Sequence, residues 1–227
     1  MSERIIKPIG YVKNDFKEKF GIPRQSGRAP SAISRVIFYP EYRSPDALRD
    51  IEGFSHLWLL FDFSMVKDQN FTPLIRPPRL GGNKKVGVFA SRSPFRPNHI
   101  GLSSVRLIKV EQTCDFGLTL LVSGADLLDG TPIYDVKPYL PFTDCHTDAI
   151  GGYADAQKDY KLRVNFPNHL KNLIPNDKID AIVECLADDP RPSYQEDGKN
   201  YGMRFGDYDI KFNVVDGEIT VTDVISL

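Results

Sequence analysis

Two arginines on a proline-rich loop are the side chains of this sequence best suited to bind an anion. Arg92 and Arg96 lie on either side of Pro94, in the run Arg-Ser-Pro-Phe-Arg-Pro-Asn that ends at Asn98. Proline fixes its own φ angle, so the loop restricts the directions in which the two guanidinium groups point. Guanidinium groups bind carboxylates and phosphates through paired hydrogen bonds. The loop therefore predicts a site for a phosphate or a carboxylate.

A turn at residues 129–132 is a second candidate for ligand binding. Its residues, Asp129-Gly130-Thr131-Pro132, are of the types that dominate tight turns. The carboxylate of Asp129 is an acceptor for ribose hydroxyls or for a ligand ammonium group. An Asp-Gly pair is usually only a turn, however, and a histidine such as His56 is more often structural. Neither the turn nor the histidine alone indicates a function.

Charge is divided unequally along the chain. Residues 1–110 hold 19 Lys and Arg against 9 Asp and Glu, a net +10, whereas residues 111–227 hold 10 against 21, a net −11. The 42 residues of 69–110 contain no acid and eight bases: Arg76, Arg79, Lys84, Lys85, Arg92, Arg96, Arg106 and Lys109. A local field of this sign attracts a polyanion or a phosphate-bearing ligand. The alternative is a solvated face whose counter-charges come from the acidic half.

Several well-known motifs are absent from the sequence. It contains no G-x-G-x-x-G, no G-x-x-x-x-G-K-[ST] and no G-x-S-x-G, which excludes the usual dinucleotide, P-loop and serine-hydrolase signatures. Cys145 and His146 have no second pair nearby, so we expect no metal. Three widely spaced cysteines and short apolar runs favour a cytoplasmic protein without membrane contact.

Short runs of β-branched and aromatic residues between Pro and Gly turns dominate the first 155 residues. They predict strands at 5–12, 32–39, 54–63, 86–91, 103–110, 118–123 and 133–137. Repeated strands of this length favour a β-barrel or a sandwich. Ser44 followed by Pro45 predicts one short helix at 44–49.

The pattern changes at about residues 155–160. Helices are predicted at 166–173 and at 176–187, the second with Asn176 as its cap. Asp216-Gly217 predicts a hairpin between strands at 207–215 and 218–225. We therefore predict a mainly β protein, with a β-barrel domain at 1–157 and a small α+β domain at 158–227.

Five segments, taken in order, resemble the signature segments of the TsaA/TrmO family of tRNA methyltransferases. They are Gly-Ile-Pro-Arg-Gln (21–25), Gly-Phe-Ser-His-Leu-Trp (53–58), Arg-Pro-Pro-Arg-Leu-Gly-Gly-Asn (76–83), the 92–98 run and Asp-Gly-Thr-Pro-Ile-Tyr-Asp (129–135). Asp-Pro-Arg-Pro (189–192) and Tyr-Gly-Met (201–203) resemble the small C-terminal domain of bacterial members. The resemblance covers essentially the whole chain. His99 departs from it, and this affects only local loop shape.

The resemblance implies a homodimeric enzyme that uses S-adenosylmethionine and is built on a β-barrel. It implies N6-methylation of N6-threonylcarbamoyladenosine next to the anticodon of tRNA. Carried over residue by residue, the cofactor-binding positions are Pro23, Arg24, Gln25, His56, Leu57, Arg92, Leu102, Asp129, Gly130, Thr131 and Pro132. We further expect the basic loop to hold the anticodon-loop phosphates and the threonine carboxylate, through Arg76, Arg79, Lys84, Lys85 and Arg96.

The chemistry of the implied substrate points to two candidate catalytic residues. The threonylcarbamoyl group makes N6 urea-like, so its lone pair is delocalised and a side chain must take or share its proton. Our hypothesis is that Asp129 or Tyr134 contacts this nitrogen.

Two alternatives stay open at this point. One is a non-catalytic RNA-binding barrel, in which Phe71, Phe89 and Phe95 stack on single-stranded bases. The other is a methyltransferase that acts on a different substrate through the same barrel.

Overall fold

Six strands between residues 10 and 138 pair in a sheet that closes on itself. The computed structural model describes residues 5–66, 71–77, 84–191 and 198–227. In chain order the first eight strands are β1 (Gly10–Asn14), β2 (Ile33–Phe38), β3 (His56–Asp62), β4 (Leu74–Ile75), β5 (Val86–Gly87), β6 (Ile100–Thr113), β7 (Gly117–Ser123) and β8 (Pro132–Pro138). β4 and β5 pair only with each other. The other six follow the order β1-β2-β7-β6-β3-β8, with β8 paired back to β1 and every pair antiparallel.

Apolar side chains at alternate positions along these strands fill the inside of the closed sheet. In β3, Leu57, Leu59 and Phe61 are buried, whereas the side chains between them face outward. Successive residues of a strand point to opposite faces, so one apolar face from each strand is enough to build this core. The buried cluster is made of Val12, Val36, Phe38, Leu57, Leu59, Phe61, Val105, Leu107, Leu120, Val122, Ala125, Leu127 and Ile133.

The C-terminal part forms a second sheet with helices. Its strands are β9 (Arg163–Asn165), β10 (Asn200–Phe205), β11 (Tyr208–Val215) and β12 (Glu218–Ser226), in the order β10-β11-β12-β9. The α-helices are α1 (Pro141–Asp144), α2 (Asn168–Lys171) and α3 (Asn176–Ala187), and short 3-10 helices occur at Pro40–Tyr42, Pro45–Leu48, Ile51–Gly53, Val88–Ala90 and Gly152–Gln157. The buried residues of α3 are Ala181, Ile182, Cys185 and Leu186, and they join the core of the second sheet.

The core of the second sheet also takes residues from the start of the chain. Phe16, Ala29 and Ala32 are buried in the same cluster as α3 and β10–β12. The ring of Phe16 meets that of Phe205 edge to face, with centroids 5.6 Å apart. The segment 15–32 therefore lies between the closed sheet and the second sheet. The predicted division into 1–157 and 158–227 stays a prediction.

The mainly β fold class is confirmed, and so is the hairpin at Asp216-Gly217. Both turn residues have positive φ angles, 48° and 75°, which is the geometry of the type I′ turn that this pair favours. The helix at 176–187 is also confirmed, although Pro175 rather than Asn176 occupies the capping position.

Five predicted elements differ from the structure in length or type. The helix predicted at 166–173 spans only Asn168–Lys171, and the strand predicted at 103–110 runs from Ile100 to Thr113. The strand predicted at 5–12 begins only at Gly10, since Pro8 before it has no N–H for the ladder. The strand predicted at 86–91 ends at Gly87, because the N–H of Ser91 donates to the carbonyl of Val88 and closes a 3-10 turn. The helix at 44–49 is a 3-10 turn, Pro45–Leu48.

Substitution of Gly101 by alanine tests the packing inside the closed sheet. A Cβ atom on Gly101 would lie 2.2 Å from Cζ of the buried Phe61 ring. We expect Gly101→Ala to lower the free energy of unfolding by roughly 1–3 kcal/mol, as overpacking of a filled core does. Gly53→Ala is the matched control, because its Cβ meets nothing within 4 Å. Equal melting temperatures for the two variants in thermal denaturation would contradict this packing.

Candidate functional site

A cleft of about 950 Å³ opens beside the proline-rich loop. This volume lies within the range of about 300–1,000 Å³ that is typical of small-molecule sites. Its walls come from residues 24–28, 72–77, 91–95 and 153–158, and from Asp188 after α3. The described lining carries two acids, Asp155 and Asp188, and five bases: Arg24, Arg28, Arg76, Arg92 and Lys158. The cleft is therefore positively charged.

A smaller cavity of about 260 Å³ adjoins this cleft at Pro94, which lines both. Its walls are the end of β3 with the residues after it (61–66), the residues Lys19 and Ile22, and part of the 126–131 turn. Most of this lining is apolar, and the polar side chains in it are those of Lys19, Asp62, Ser64, Asp126 and Thr131. The two spaces together offer a basic region beside an apolar one.

The Asp126 carboxylate lines the smaller cavity and accepts a hydrogen bond there. Ser103 Oγ donates a hydrogen bond to Asp126 Oδ1 at 2.5 Å. Burial raises the pKa of Asp126 above its usual range, and the opposing effects of the Ser103 hydroxyl and the Arg92 charge do not cancel the rise. Burial penalises the ionised form of the Asp126 carboxyl group, so a cation bound in the cavity would stabilise that ionised form.

Arg92 joins the proline-rich loop to the segment that contains Pro23, Arg24 and Gln25. The exposed Arg92 guanidinium donates to Gln25 Oε1 at 2.6 Å, whereas Pro23 is buried. Members of three segments that the sequence predicts for cofactor binding therefore lie around Pro94: Arg24 and Gln25, Arg92, and Thr131 of the 129–132 turn.

The C-terminal part fixes the position of the 23–31 segment. Asp188 accepts hydrogen bonds from the backbone N–H of Arg24, at 3.2 Å, and from Nε of Arg28. Glu184 accepts from both the N–H and the hydroxyl of Ser31, at 2.8 and 2.9 Å. The guanidinium of Arg24 also donates to the carbonyl of Arg191 at 2.7 Å. The carboxylates of Glu184, within α3, and of Asp188, directly after it, thus hold one wall of the cleft.

Asp129 holds its own turn in place. Its Oδ1 accepts from the N–H of Asn14 and its Oδ2 from Nζ of Lys17, both at 2.8 Å. Next to it, the N–H of Gly130 donates to the carbonyl of Val12 at 2.8 Å. The carboxylate is therefore engaged within the protein, whereas Thr131 lines the smaller cavity.

Tyr134, on β8, lies near Asp62, which lines the smaller cavity. Burial, and then the negative charge of Asp62, raise the pKa of Tyr134 above its ordinary value of 10. The phenol therefore keeps its proton at neutral pH.

The structure does not bring His56, Leu57 and Leu102 to this site. His56 begins β3 and Asp62 ends it, so six strand steps separate them, or about 20 Å. Leu57 is buried inside the closed sheet. Leu102 points outward, 50% exposed, and lines neither space.

The end of β3 supplies residues that the sequence interpretation missed. Asp62, Ser64 and Met65 line the smaller cavity, and Asp126 faces them from the turn. The available signal was weak: an acidic residue at or shortly after the end of an apolar strand, which describes Asp62 on β3 and Asp126 beyond β7.

The residues predicted to bind RNA fall into three groups. Arg76 is exposed and lines the cleft, and Lys84 and Lys85 are exposed beside β5. Arg96 instead donates from NH1 to the carbonyls of Val88, at 3.2 Å, and Ser91, at 2.7 Å, so it shapes the loop. Arg79 lies outside the described residues.

The described residues supply few of the counter-charges that a merely solvated basic face would have. Among the described bases of 69–110, the one salt bridge is that of Lys109 with Glu111. The acids of the C-terminal half pair elsewhere, as Asp188 does with Arg28. The positive field of the loop is therefore available to a ligand.

Two further findings concern the described part of the chain. No helix there combines the length and the hydropathy needed to cross a bilayer. Nor does that part hold a group of three or more His, Cys, Asp and Glu side chains placed to bind a metal ion.

The fold and site define a mainly β protein with a basic cleft whose charge suits an anionic ligand. Residues 11–145 match the family model of the tRNA-methyltransferase O N-terminal domain, and residues 159–227 match that of the TrmO C-terminal domain. The chain therefore belongs to the tRNA-methyltransferase O family, and the resemblance found in the sequence is confirmed.

Individual relatives agree with this assignment. The chain is 41% identical over 231 residues to the tRNA (adenine(37)-N6)-methyltransferase of Escherichia coli (strain K12), with 97% of each protein covered. It is 38% identical over 149 residues to a Pyrococcus abyssi protein named a probable S-adenosyl-L-methionine-binding protein, covering 66% of this chain and 75% of that one. A crystal structure of TrmO from P. aeruginosa is similar with a TM-score of 0.79 and 37% identity, covering 100% of this chain and 99% of that one.

Substitution of Asp188 tests the contact that fixes the cleft wall. Its side chain is 4% exposed and that of Arg28 19%. We expect Asp188→Asn to lower the free energy of unfolding by roughly 2–3 kcal/mol, less than the ~3–5 kcal/mol of a fully buried pair because Arg28 keeps some solvent contact. Hydrogen exchange of the 23–31 amides should also become faster. The control is Asp180→Asn, on the exposed face of α3. If urea unfolding and exchange of both variants match the unsubstituted chain, the contact does not hold the wall.

Proposed function

We propose that this chain methylates the N6 nitrogen of N6-threonylcarbamoyladenosine next to the anticodon of tRNA, with S-adenosylmethionine as the methyl donor. The observation that carries the proposal is the basic cleft that meets a buried carboxylate at Pro94, in a member of the tRNA-methyltransferase O family. The name of the E. coli relative gives adenine 37 and its N6 as the target.

The charges of the cleft support a substrate that carries the threonylcarbamoyl group. Arg76 lines the cleft, is exposed and forms no ion pair with any other residue that the structure describes. A substrate that carries the threonine carboxylate offers a partner for such a guanidinium, and unmodified adenosine does not.

The residues at the junction of the two spaces fit S-adenosylmethionine, which supplies an activated methyl group when bound. Its carboxylate suits the exposed Arg92 guanidinium, and its positive charges suit the buried Asp126 carboxylate. Phe61, Phe63 and Leu128 provide apolar walls that exclude water from the reacting atoms. We assign binding of S-adenosylmethionine to two sets of residues. Those kept from the sequence prediction are Pro23, Arg24, Gln25, Arg92, Gly130, Thr131 and Pro132. Those added from the cavity lining are Asp62, Ser64, Met65 and Asp126.

Proton transfer from N6 needs an acceptor at the cavity. We assign it to Asp62, which lines the cavity and lies near the protonated Tyr134 phenol. Asp129 instead keeps the turn in place through Asn14 and Lys17. Correct alignment of the reacting groups supplies most of the remaining rate acceleration.

A homodimer and a cytoplasmic location complete the proposal. Ile100 and Leu102 are 36% and 50% exposed on the outer face of β6, which suits contact with a second copy. Cys114 and Cys145 are free and exposed, as expected in a reducing compartment.

Methyl transfer to a modified tRNA is the direct test. We expect the chain, supplied with S-adenosylmethionine, to add one methyl group to the threonylcarbamoyladenosine of tRNA, detected by mass spectrometry of the nucleosides. Arg92→Ala should lose at least about tenfold in kcat/KM, since a charge-assisted hydrogen bond contributes roughly 1.5–3 kcal/mol. Arg106→Ala removes an exposed arginine that lines neither space, and it should retain activity.

Two results would contradict the proposed function. One is the absence of any methyl transfer to this nucleoside by the unsubstituted chain. The other is transfer at equal rates to tRNA that lacks the threonylcarbamoyl group, which would remove the reason for the substrate assignment.

The raised pKa of Asp126 predicts a pH dependence of cofactor binding. A positively charged ligand favours the ionised form, so its affinity should rise as pH increases through the pKa of Asp126 and level off above it. Titration calorimetry from acidic to neutral pH measures this. Asp126→Asn should bind more weakly and lose the step, whereas Asp115→Asn, at an exposed turn, should keep it. The same profile in the Asp126 variant would show that another group is responsible.

A further inference from the structure

Two aromatic rings lie stacked on the surface beside the cleft. Phe89 is 70% exposed and Phe71 48%. Their centroids are 6.2 Å apart and their planes are inclined by 25°. Thr72 and Ser91, which line the cleft, follow Phe71 and Phe89 by one and two residues. A flat apolar surface of this kind is therefore exposed at the edge of the basic cleft.

Short ordered elements hold both rings in position. β4 and β5 pair through Leu74 with Gly87 and Ile75 with Val86. Directly beyond this ladder, the N–H of Val88 donates to the carbonyl of Pro73 at 2.9 Å. Phe89 lies in the 3-10 helix Val88–Ala90. The pair is thus presented to solvent from a fixed backbone, which lowers the entropy cost of binding.

Arg96 adds a cation to this surface. Its guanidinium carbon is 5.6 Å from the centroid of the Phe89 ring, within cation–π distance. Hydrogen bonds to the carbonyls of Val88 and Ser91 fix the group there. The hydrogen bonds by which Arg96 shapes the loop therefore also hold its guanidinium over the Phe89 ring.

The surrounding charge selects the occupant. The 69–110 segment has no acid, and within the described ranges the exposed Arg76, Lys84 and Lys85 form no ion pair. An occupant must therefore combine flat aromatic faces with negative charge. Unpaired nucleotides meet both requirements, because every base has a π face and every linkage a phosphate.

We propose that Phe71, Phe89 and Arg96 form a stacking site for one unpaired base of the tRNA anticodon loop, next to the nucleotide that enters the cleft. This proposal rests on the proposed function and specifies how the RNA is held. The site is indifferent to base identity, because its contacts are faces and charge and not base edges. The stacking site therefore positions the anticodon loop and does not select a tRNA by its base sequence.

The test is binding of an anticodon stem-loop RNA that carries threonylcarbamoyladenosine, with 2-aminopurine at an adjacent unpaired position. We expect Phe89→Ala to weaken binding about tenfold, the size of one lost base stack, and to abolish the quenching of 2-aminopurine fluorescence. Phe89→Trp should retain both, since it keeps a π face. The salt dependence of binding should not change, because no charge is removed. Phe142→Ala, at an 87% exposed phenylalanine of α1, is the matched control.

Other outcomes overturn the proposal. Unchanged RNA affinity and quenching in Phe89→Ala, with methylation by the unsubstituted chain intact, would remove the stacking site and leave the proposed function standing. Loss of S-adenosylmethionine binding in the same variant would show a structural role. Dissociation of an oligomer would show a protein interface. A failure of the unsubstituted chain to methylate the stem-loop is a failure of the proposed function and is recognised separately.

Discussion

The Asp188 carboxylate is the contact on which the site depends. It holds Arg28 and the backbone of Arg24, and so it attaches the 23–31 segment to the C-terminal part of the chain. Without this attachment, a segment with no regular secondary structure would have to form one wall of the cleft alone. Phe16 and Ala29 strengthen the attachment by packing into the C-terminal core. The C-terminal part is therefore needed to shape the cleft, even though its sheet lies apart from the closed sheet.

The distribution of charge follows from the same arrangement. Acids of the C-terminal half neutralise bases of the 15–31 segment and of their own sheet, and they leave the 69–110 loop positive. Asp126 is the exception, a partly buried carboxylate placed where that positive region meets the apolar cavity. A donor with a carboxylate and a cationic centre matches this pair of environments, and a phosphate-rich substrate matches the rest of the cleft.

Local features were predictable from the sequence, and long-range ones were not. Alternating apolar residues located most strands, and Asp216-Gly217 located a hairpin, because these depend on neighbouring residues. The parallel pairing of β9 with β12 joins residues more than fifty positions apart and left no local signal. His56 shows the same limit: its segment resembles a family motif, but the direction of β3 places it at the far end from Asp62. Residues 23–25, Arg92 and 129–132 were expected to converge, and of these Arg24, Gln25, Arg92 and Thr131 line the two adjoining spaces. Asp62 was found only through the folded cavity.

The central claim is that the methyl donor binds where residues 23–25, Arg92 and the 126–131 turn meet. A crystal structure of the chain with S-adenosylhomocysteine measures this directly. The account predicts density for the ligand beside Pro94, with its carboxylate near Arg92 and its ammonium group near a carboxylate of the smaller cavity. Ligand density at the His56 end of β3, with the junction at Pro94 empty, would contradict it.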